Sequence, residues 1–361
     1  MSQQRVFAEA HAAMNRVAHA GHGLPELFDH ASRVLRKAVP FDAACWHTLD
    51  PATLLETSHY VENLPFENPR ASELEYLYDD FNQFATLANA RRRSGILSEA
   101  TGGEPQRSRR YRELIRPFGL GAELRAAFVT QDTGWGAVGL LRPPSSPDFT
   151  PAEASLLTEV SSYLAQGVRT ALLQAEAQKA DPSADAPGLV LLDHRLRLDV
   201  ITAAAAPLLA ELAETEGGGP SELPYVVYAV AARAQAAGRS DSSPGMARAR
   251  VLAKSGRWLA LHGALAQGRP PGHAAVIIEP AKPALLAPLL VQAYGVTVRE
   301  EQVLRHLLRG ASTKDISALL GISPYTVQEH LKKLFDKFGV RSRRQLVGRV
   351  FFDQYAAKRR D

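Results

Sequence analysis

The chain has 361 residues, of which 45% are apolar and 22% are charged, and a chain of this length and composition can bury two or three hydrophobic cores. The composition excludes an intrinsically disordered protein, and no uncharged apolar run reaches the length of about 18 residues that a transmembrane helix needs. The single cysteine, Cys45, excludes an internal disulfide and a zinc site built on several thiolates. Because the charged N-terminal segment also lacks the apolar core of a secretory signal, we expect a soluble, cytoplasmic protein without membrane contact.

The excess of positive charge is confined to the last fifth of the chain. Residues 290–361 hold 14 Lys and Arg against 7 Asp and Glu, a net charge of +7, whereas residues 1–289 hold 28 against 31, a net charge of −3. A basic segment at the end of a slightly acidic chain is typical of a protein that binds a polyanion, most often nucleic acid.

The first zone of the sequence, residues 1–178, has the pattern of a mixed α/β domain. A helix-forming stretch, LPELFDHASRVLRKAV, precedes the strand-like segment PFDAACWHTLD, and the later segments ELRAAFVT and GWGAVGLLRP also predict strands. The zone ends in a long amphipathic helix over 151–178, with Thr150 as its N-cap and Pro151 as its first residue.

A linker at 181–188, with the sequence DPSADAPG, separates the first zone from a second one, residues 188–282. In this second zone the short runs GLVLLD, LRLDVIT and AAVIIEP predict strands. Helical periodicity predicts helices over 203–214 and 225–237. The second zone is therefore also expected to be a mixed α/β domain.

The third zone, residues 290–361, contains successive signals for helix starts and stops. Capping pairs predict the start of four helices, and two glycines predict where the first two end, because glycine adopts the left-handed conformation that closes a helix. A helix, a short glycine-containing turn and a second helix form the pattern of a helix-turn-helix. The signals are Thr297 with Glu300, Ser312 with Asp315, Ser323 with Pro324, Ser342 with Gln345, Gly310 and Gly321.

The third helix of this zone has two faces of opposite character. One is an apolar stripe expected to pack against the first two helices, formed by Val327, Leu331, Leu334 and Phe338. The opposite face carries Tyr325, Gln328, Glu329 and Lys332. Gln, Glu and Lys can each pair with base edges in the major groove of DNA, so this face is predicted to read bases.

Two further groups of residues surround this face. Thr326, Lys333 and Lys337 flank it, where they can hold phosphates and set the register on the duplex. The fourth helix carries an apolar set that predicts self-association through Leu346, Val347, Val350 and Phe351.

The segment VTVREEQVLRHLLRGASTKDISALLGISPYTVQEHLKKLFDKFGVRSRRQLV resembles the LuxR-type (GerE-type) DNA-binding domain over its whole length. The resemblance implies a four-helix, all-α domain that binds double-stranded DNA as a homodimer through its fourth helix. RNA polymerase is a further candidate partner. It implies base contacts for Gln328, Glu329 and Lys332 and phosphate contacts for Lys314, Thr326 and Lys333. Lysine is common in the family where this chain has Gln328, so the base preference of relatives does not carry over.

The order of predicted elements in the first zone resembles a GAF-like sensory domain, and that in the second resembles a degenerate PAS-like domain. Both resemblances imply a pocket over an antiparallel sheet for a small-molecule ligand. The expected fold class is therefore multidomain α+β, with a GAF-like α/β domain at 1–178, a PAS-like α/β domain at 188–282 and an all-α helix-turn-helix domain at 290–361.

Some residues outside the C-terminal zone allow two interpretations. Cys45 is either a reactive or chromophore-attaching thiol or a core residue, and the arginines at 91–93 and 107–112 either clamp an anionic ligand or form ion pairs. The histidines near the N-terminus lack partners at a metal-ligand spacing, so neither a metal nor another cofactor is expected. The chain has no phosphate-binding loop, nucleophile elbow or zinc-protease motif, which argues against an enzyme and leaves no catalytic residues to name.

These features together predict a transcription regulator in which sensory domains control a DNA-binding helix-turn-helix dimer. The helix at 151–178 is the candidate element for transmitting a change between domains. The alternative is a ligand-sensing protein-interaction module whose helix-turn-helix contacts protein rather than DNA. Salt-sensitive binding to duplex DNA distinguishes the two hypotheses.

Overall fold

A computed structural model of the chain describes residues 3–64, 68–176, 186–213, 223–238, 247–253, 255–266, 272–282, 285–286 and 291–351. The chain divides into two compact units, residues 1–280 and 281–361. The first unit contains two antiparallel sheets with helices, and the regular elements described in the second are helices, which confirms the expected α+β class. The finer division of the first unit into two sensory domains stays a prediction.

The first sheet has five antiparallel strands in the order β2-β1-β5-β4-β3. The strands are β1 (Ala43–Leu49), β2 (Glu56–Glu62), β3 (Ser94–Ile96), β4 (Ala122–Thr130) and β5 (Thr133–Arg142). The helices around it are α1 (Gln3–His19), α2 (Leu24–Ala38), α3 (Asn68–Tyr76), α4 (Phe84–Asn89), α5 (Leu97–Ala100) and α6 (Pro151–Glu176), with a π-helical turn at Tyr111–Ile115.

One face of the first sheet is an apolar core covered by α2 and α6, and α1 packs against these two helices. Side chains alternate between the two faces along each strand, and the register places Trp46 on the same face as Leu124 and Ala126. The ring of Trp46 packs against Phe28 of α2, with 5.5 Å between centroids, and all of these side chains are buried. Because of the same alternation, the residues between them face the other side of the sheet.

The long helix α6 begins where the sequence predicts. The backbone nitrogen of Thr150 donates to Glu153 Oε2 at 2.7 Å, while the Glu153 nitrogen donates to Thr150 Oγ1 at 3.3 Å, so the two residues form a capping box. Residues 177–185, which include most of the predicted linker, lie outside the described residues. No helix among the described residues, α6 included, is long and apolar enough to cross a membrane.

The second sheet also has five antiparallel strands, in the order β7-β6-β10-β9-β8. Its strands are β6 (Gly188–Leu192), β7 (Leu198–Ile201), β8 (Arg248–Leu252), β9 (Trp258–Leu265) and β10 (Ala274–Pro280), and its helices are α7 (Ala205–Ala213) and α8 (Tyr225–Ala237). These elements confirm the strands and helices predicted for this zone. The inner face of the sheet packs with α7 and α8 in one apolar core that includes Val190, Leu261 and Val276.

The second unit contains α9 (Val298–Leu308), α10 (Thr313–Leu320), α11 (Pro324–Phe338) and α12 (Arg343–Phe351). The capping boxes at Thr297 with Glu300 and at Ser312 with Asp315 are both formed. Gly321 closes α10 in the left-handed conformation with φ 64°, as predicted. The four helices share a core, so the predicted helix-turn-helix is confirmed as α10, a three-residue turn and α11.

Candidate functional sites

The helix α11 begins with a side-chain cap, and its two sides differ, since one is buried and the other is exposed. Ser323 Oγ accepts from the backbone nitrogen of Thr326 at 3.0 Å, and Pro324 occupies the first helical position. The predicted apolar stripe is buried, since Val327, Leu331, Leu334 and Phe338 are all at most 3% exposed. This packing fixes which side of the helix remains at the surface.

The four predicted base-reading residues lie together on the exposed side of α11. Tyr325 is 74% exposed, and Gln328, Glu329 and Lys332 are exposed as well. The amide of Gln328 donates to Thr313 Oγ1 at 3.2 Å, a contact between the two helices of the motif. Arg343 of α12 donates to the same hydroxyl, so Thr313 connects all three helices.

Two of the predicted phosphate ligands carry free positive charge. Lys314 and Lys333 are exposed, and within the described part of the chain neither ammonium group, nor that of Lys332, takes part in a hydrogen bond or an ion pair. Thr326 is half-buried, and its hydroxyl lies 2.9 Å from Ser323 Oγ inside the helix cap.

The fourth predicted phosphate ligand, Lys337, has a different environment. Its Nζ donates to the carbonyl of Gly295 and to Glu300 Oε2, both at 2.6 Å. Burial opposes ionisation of Glu300, but hydrogen bonds from Lys337 and Thr297 outweigh it and hold the pKa of this carboxyl below its ordinary value. Lys337 therefore ties the end of α11 to the start of α9 and is not a free cation for DNA.

Two of the predicted dimer residues of α12 lie in the core of the unit. Leu346 is fully buried and Val350 is 3% exposed, because their i, i+4 spacing turns both into the core of the unit. Val347 is half-buried, and the side chain of Phe351 lies outside the described residues. Val347 and Arg344 line an open groove of about 590 Å³ that also reaches Leu307 and Gly310 near the end of α9.

The first sheet carries a second candidate site, over the sheet where the GAF-like resemblance implies a pocket, and among its lining residues the sequence singled out only Cys45 and Arg110. A cavity lies over the face opposite the apolar core, between the sheet and α3, α4 and the π-helical turn. Two buried ion pairs line it. Arg110 donates to both carboxylate oxygens of Glu123, at 2.9 and 2.7 Å, and Arg125 donates to Glu75 Oε2 at 2.9 Å while stacking on the ring of Phe84.

The electrostatics of this cavity favour neutral forms for its other titratable groups. Burial, with a smaller contribution from Arg125, lowers the pKa of His47 to about 3. Burial raises the pKa of Glu56 against hydrogen bonds from Tyr225 and Tyr76, and it raises the pKa of Cys45 to about 12. By contrast, the guanidinium of Arg125 stays charged, because burial is outweighed chiefly by the nearby carboxylates of Glu75 and Glu123, which form the two ion pairs.

These observations bear on the residues that allowed two interpretations. A thiol with a raised pKa is a poor nucleophile, so the environment of Cys45, whose Sγ donates to the carbonyl of Gly139 at 3.8 Å, does not favour reactivity. Of the arginines at 107–112, Arg110 is buried in an ion pair, and Arg109 pairs with Glu113 at 2.7 Å. Among the described residues, no group of three or more His, Cys, Asp or Glu side chains is arranged to hold a metal ion.

Two solved structures resemble parts of the chain at low sequence identity. A GAF domain/HD domain protein from Geobacter sulfurreducens is 20% identical, with a TM-score of 0.29 over 41% of this chain and 93% of that one. The phycoerythrobilin-bound GAF domain of a cyanobacterial phytochrome is 14% identical, with a TM-score of 0.32 over 48% of this chain and 97% of that one. At such TM-scores these likenesses add nothing to the strand order observed in this chain.

The C-terminal unit matches a family of regulators. Residues 295–350 match the bacterial regulatory proteins of the luxR family (GerE). The transcriptional regulatory protein UhpA of Escherichia coli (strain K12) is 43% identical over 56 residues, as is UhpA of Salmonella typhimurium (strain LT2), and the match covers 16% of this chain and 29% of the relative. The chain thus spans less than a third of the length of these relatives. Residues 295–350 are a LuxR-type (GerE) helix-turn-helix domain.

Proposed function

We propose that the chain is a transcription regulator whose C-terminal domain binds double-stranded DNA by inserting α11 into the major groove. The observation that carries this proposal is the division of α11 into a buried apolar stripe and an exposed face with Tyr325, Gln328, Glu329 and Lys332. Side chains of these types pair with base edges, and a helix of this kind fits the major groove. The net charge of +7 over residues 290–361 supplies attraction to the phosphate backbone.

Phosphate contacts in this proposal fall to Lys314 and Lys333, with Thr326 at the helix cap. Both lysines are exposed and unpaired within the described residues, so pairing with a phosphate breaks no existing interaction of theirs. Lys337 is left out, because its ammonium group already bonds Glu300 and Gly295. The proposed complex therefore separates base reading on α11 from positioning by the two free lysines.

We further propose that the domain acts as a homodimer and that residues 1–280 control it in response to a small molecule. Since Leu346 and Val350 belong to the core, the proposed dimer surface is the exposed side of α12 around Val347 and Arg344. Self-association of the full chain in sedimentation experiments tests the dimer. A strictly monomeric chain on its DNA target would contradict it.

The test of DNA binding is a salt titration. Full-length protein and a fragment of residues 290–361, which covers nearly all of a compact unit with its own core, are titrated with duplex fragments from a genomic pool. The expected result is binding whose logarithm falls linearly with the logarithm of salt concentration. Failure of both proteins to bind any fragment would favour the alternative in which the helix-turn-helix contacts protein.

Three variants separate charge from base reading. Lys333→Ala is expected to weaken binding to all sequences alike and to lower the salt slope by about one. Lys332→Ala and Gln328→Ala are expected to relax the preference at particular base pairs, at a cost of ~1–3 kcal/mol each. Arg305→Ala is a matched control, because it removes an exposed cation of α9 that pairs with Glu301 at 2.8 Å. Identical behaviour of all four proteins would refute the assignment of the two faces.

A further inference from the structure

The cavity over the first sheet is lined by buried polar side chains, and it has no role in the proposed binding of DNA. Its volume is about 40 Å³. Since a water molecule needs roughly 10–15 Å³ of such space, the cavity holds about three or four waters or one compact molecule of similar size. The side chains around it come from the sheet, from α3 and α4, and from Tyr225 at the start of α8.

Three buried polar atoms that line this cavity have no hydrogen-bond partner among the described residues. They are Nδ1 of His47, Oε2 of Glu56 and Nη1 of Arg110. The first two lie 3.8 Å apart, which is too long for a hydrogen bond between them. Buried polar atoms in native proteins nearly always have partners, so these three atoms indicate an occupant that bonds to them.

The charges of the cavity point to an uncharged occupant. The guanidinium groups of Arg110 and Arg125 are each matched by one carboxylate, of Glu123 and Glu75. Burial keeps the imidazole of His47 neutral and shifts the carboxyl of Glu56 toward its neutral form. A charged molecule would bring an uncompensated charge into this enclosed space, which is costly.

We propose that the cavity binds a small uncharged molecule of the carboxamide class. Its carbonyl oxygen accepts a hydrogen bond from Nη1 of Arg110, and its amide N–H groups donate to Nδ1 of His47 and Oε2 of Glu56. A carboxamide combines one strong acceptor with two donors. It complements the Nη1 donor of Arg110 and two acceptors, which are Nδ1 of His47 in the tautomer with the proton on Nε2 and Oε2 of Glu56 with the carboxyl proton on Oε1. The planar amide group also suits the neighbouring rings of His47, Phe84 and Tyr225.

The same cavity is positioned to affect the second sheet. Tyr225 belongs to α8, which packs in the core of the second sheet, and its ring lies 4.6 Å from His59 and 5.7 Å from His47. At the end of β1, the buried carboxylate of Asp50 accepts from the backbone nitrogen, Nε and Nη2 of Arg250 in β8, at 2.9, 2.8 and 2.7 Å. A shift of β1 on ligand binding therefore reaches both α8 and β8. That this change alters DNA binding rests on the proposed function.

The experiment uses the full-length chain and three probes of nearly identical shape, acetamide, acetate and acetamidinium, at matched ionic strength. Binding is measured directly by calorimetry and by ligand-observed NMR, without DNA. The expected result is saturable binding of acetamide, with acetate and acetamidinium at least tenfold weaker. Equal or tighter binding of either ion would overturn the proposal, and so would the absence of saturation by all three, which would mean that the cavity holds only water.

A pair of variants tests whether the polar atoms are responsible. His47→Leu removes Nδ1 with little change in volume, and replacing an unpartnered buried polar group by an apolar one is neutral or stabilising, so this variant is expected to fold. Its affinity for acetamide is expected to fall at least tenfold, whereas His19→Leu, on the exposed surface of α1, leaves the affinity unchanged. Unaltered binding by His47→Leu would refute the site.

A last arm keeps this proposal separate from the proposed function. The affinity of the full chain for its DNA is measured with and without saturating acetamide, with the 290–361 fragment as control. A change in the full chain alone supports coupling to the cavity. Direct binding of acetamide with no change in DNA affinity would leave the site intact and refute the coupling, while loss of all DNA binding would refute the proposed function without touching the acetamide result.

Discussion

The two sheets of residues 1–280 have the same strand order but bury opposite chemistry. When the strands of each sheet are numbered from one to five along the chain, their order across the sheet is 2-1-5-4-3 in both sheets. The first sheet covers one face with apolar side chains and buries Glu123, Arg125 and His47 on the other. The second sheet buries apolar residues such as Val190, Leu261 and Val276 against α8. One topology therefore carries both a charged cavity and an ordinary core, and the side chains on the inner face decide which of the two results.

The largest effect on stability is expected from a substitution that breaks the charge balance of the first sheet. Arg125→Met leaves the carboxylate of Glu75 buried without its partner and is expected to lower the free energy of unfolding by about 3–5 kcal/mol. The double variant Arg125→Met with Glu75→Gln removes both charges, keeps an acceptor for the backbone nitrogen of Phe84 and is expected to recover most of the loss. Denaturant unfolding of the full chain measures both.

A matched substitution in the second sheet sharpens this result. Leu261→Ala removes a fully buried side chain and is expected to cost ~2–5 kcal/mol at any pH between 5.5 and 7.5. The cost of Arg125→Met is expected to shrink at the lower pH, because the unpaired Glu75 takes up a proton. If both variants respond to pH in the same way, the charges of the first sheet are not what distinguishes it from the second.

How well the sequence predicted each region depends on how local its signals are. The capping pairs and glycines of residues 296–345 act within four residues of each other, so the sequence predicted the helices and the exposed face of α11. Burial depends on distant neighbours. In the segment ELRAAF, the alternation of Glu123 and Arg125 with apolar residues is typical of a strand with a solvated face, and it is the packing of α3 and α4, far along the chain, that buries these charges.

The same reason explains why the sequence did not show the environments of Lys337, Leu346 and Val350 in the C-terminal domain. Lys337 follows the basic pattern of α11, but Glu300 lies 37 residues earlier in the sequence and nothing local indicates the contact between them. Leu346 and Val350 are apolar on a terminal helix, a pattern that fits a dimer surface and an internal core equally well. Only the packing of α12 on the other helices assigns them to the core.

A smaller effect concerns the pH dependence of the first sheet. The pKa of His47 in the folded chain is about 3, below its ordinary value of 6.5, so the unfolded chain binds more protons between these values and stability is lost as the pH falls through that window. Protonation of His47 changes the equilibrium constant of unfolding by at most tenfold per pH unit, which corresponds to about 1.4 kcal/mol in the free energy of unfolding. Glu56 and Glu75, whose pKa values burial raises, act with the opposite sign, while Arg125 stays charged.

Because these groups have opposite effects on the pH dependence of stability, the contribution of the His47 imidazole is obtained by comparing the parent chain with a variant that lacks it. Unfolding of the parent chain and of His47→Leu is compared between pH 7.5 and 5, and the parent is expected to lose more stability on acidification. If the stability of the two proteins changes equally with pH, His47 is not buried in its neutral form. Burial of this imidazole would then not distinguish the first sheet from the second.

The smallest effect tests the outer face of the second sheet. Ile277 of β10 is 43% exposed, whereas its neighbour Val276 is fully buried, because successive side chains of a strand point to opposite faces. Ile277→Thr keeps a β-branched side chain at a partly solvated position and is expected to change the free energy of unfolding by less than about 0.5 kcal/mol. Val276→Thr places a hydroxyl in the apolar core and is expected to cost ~1–3 kcal/mol. Thermal unfolding of the two variants measures the contrast. A large loss of stability for Ile277→Thr would mean that the outer face of the second sheet is covered in solution. Both faces of the second sheet would then be apolar interiors, whereas the first sheet has only one apolar face.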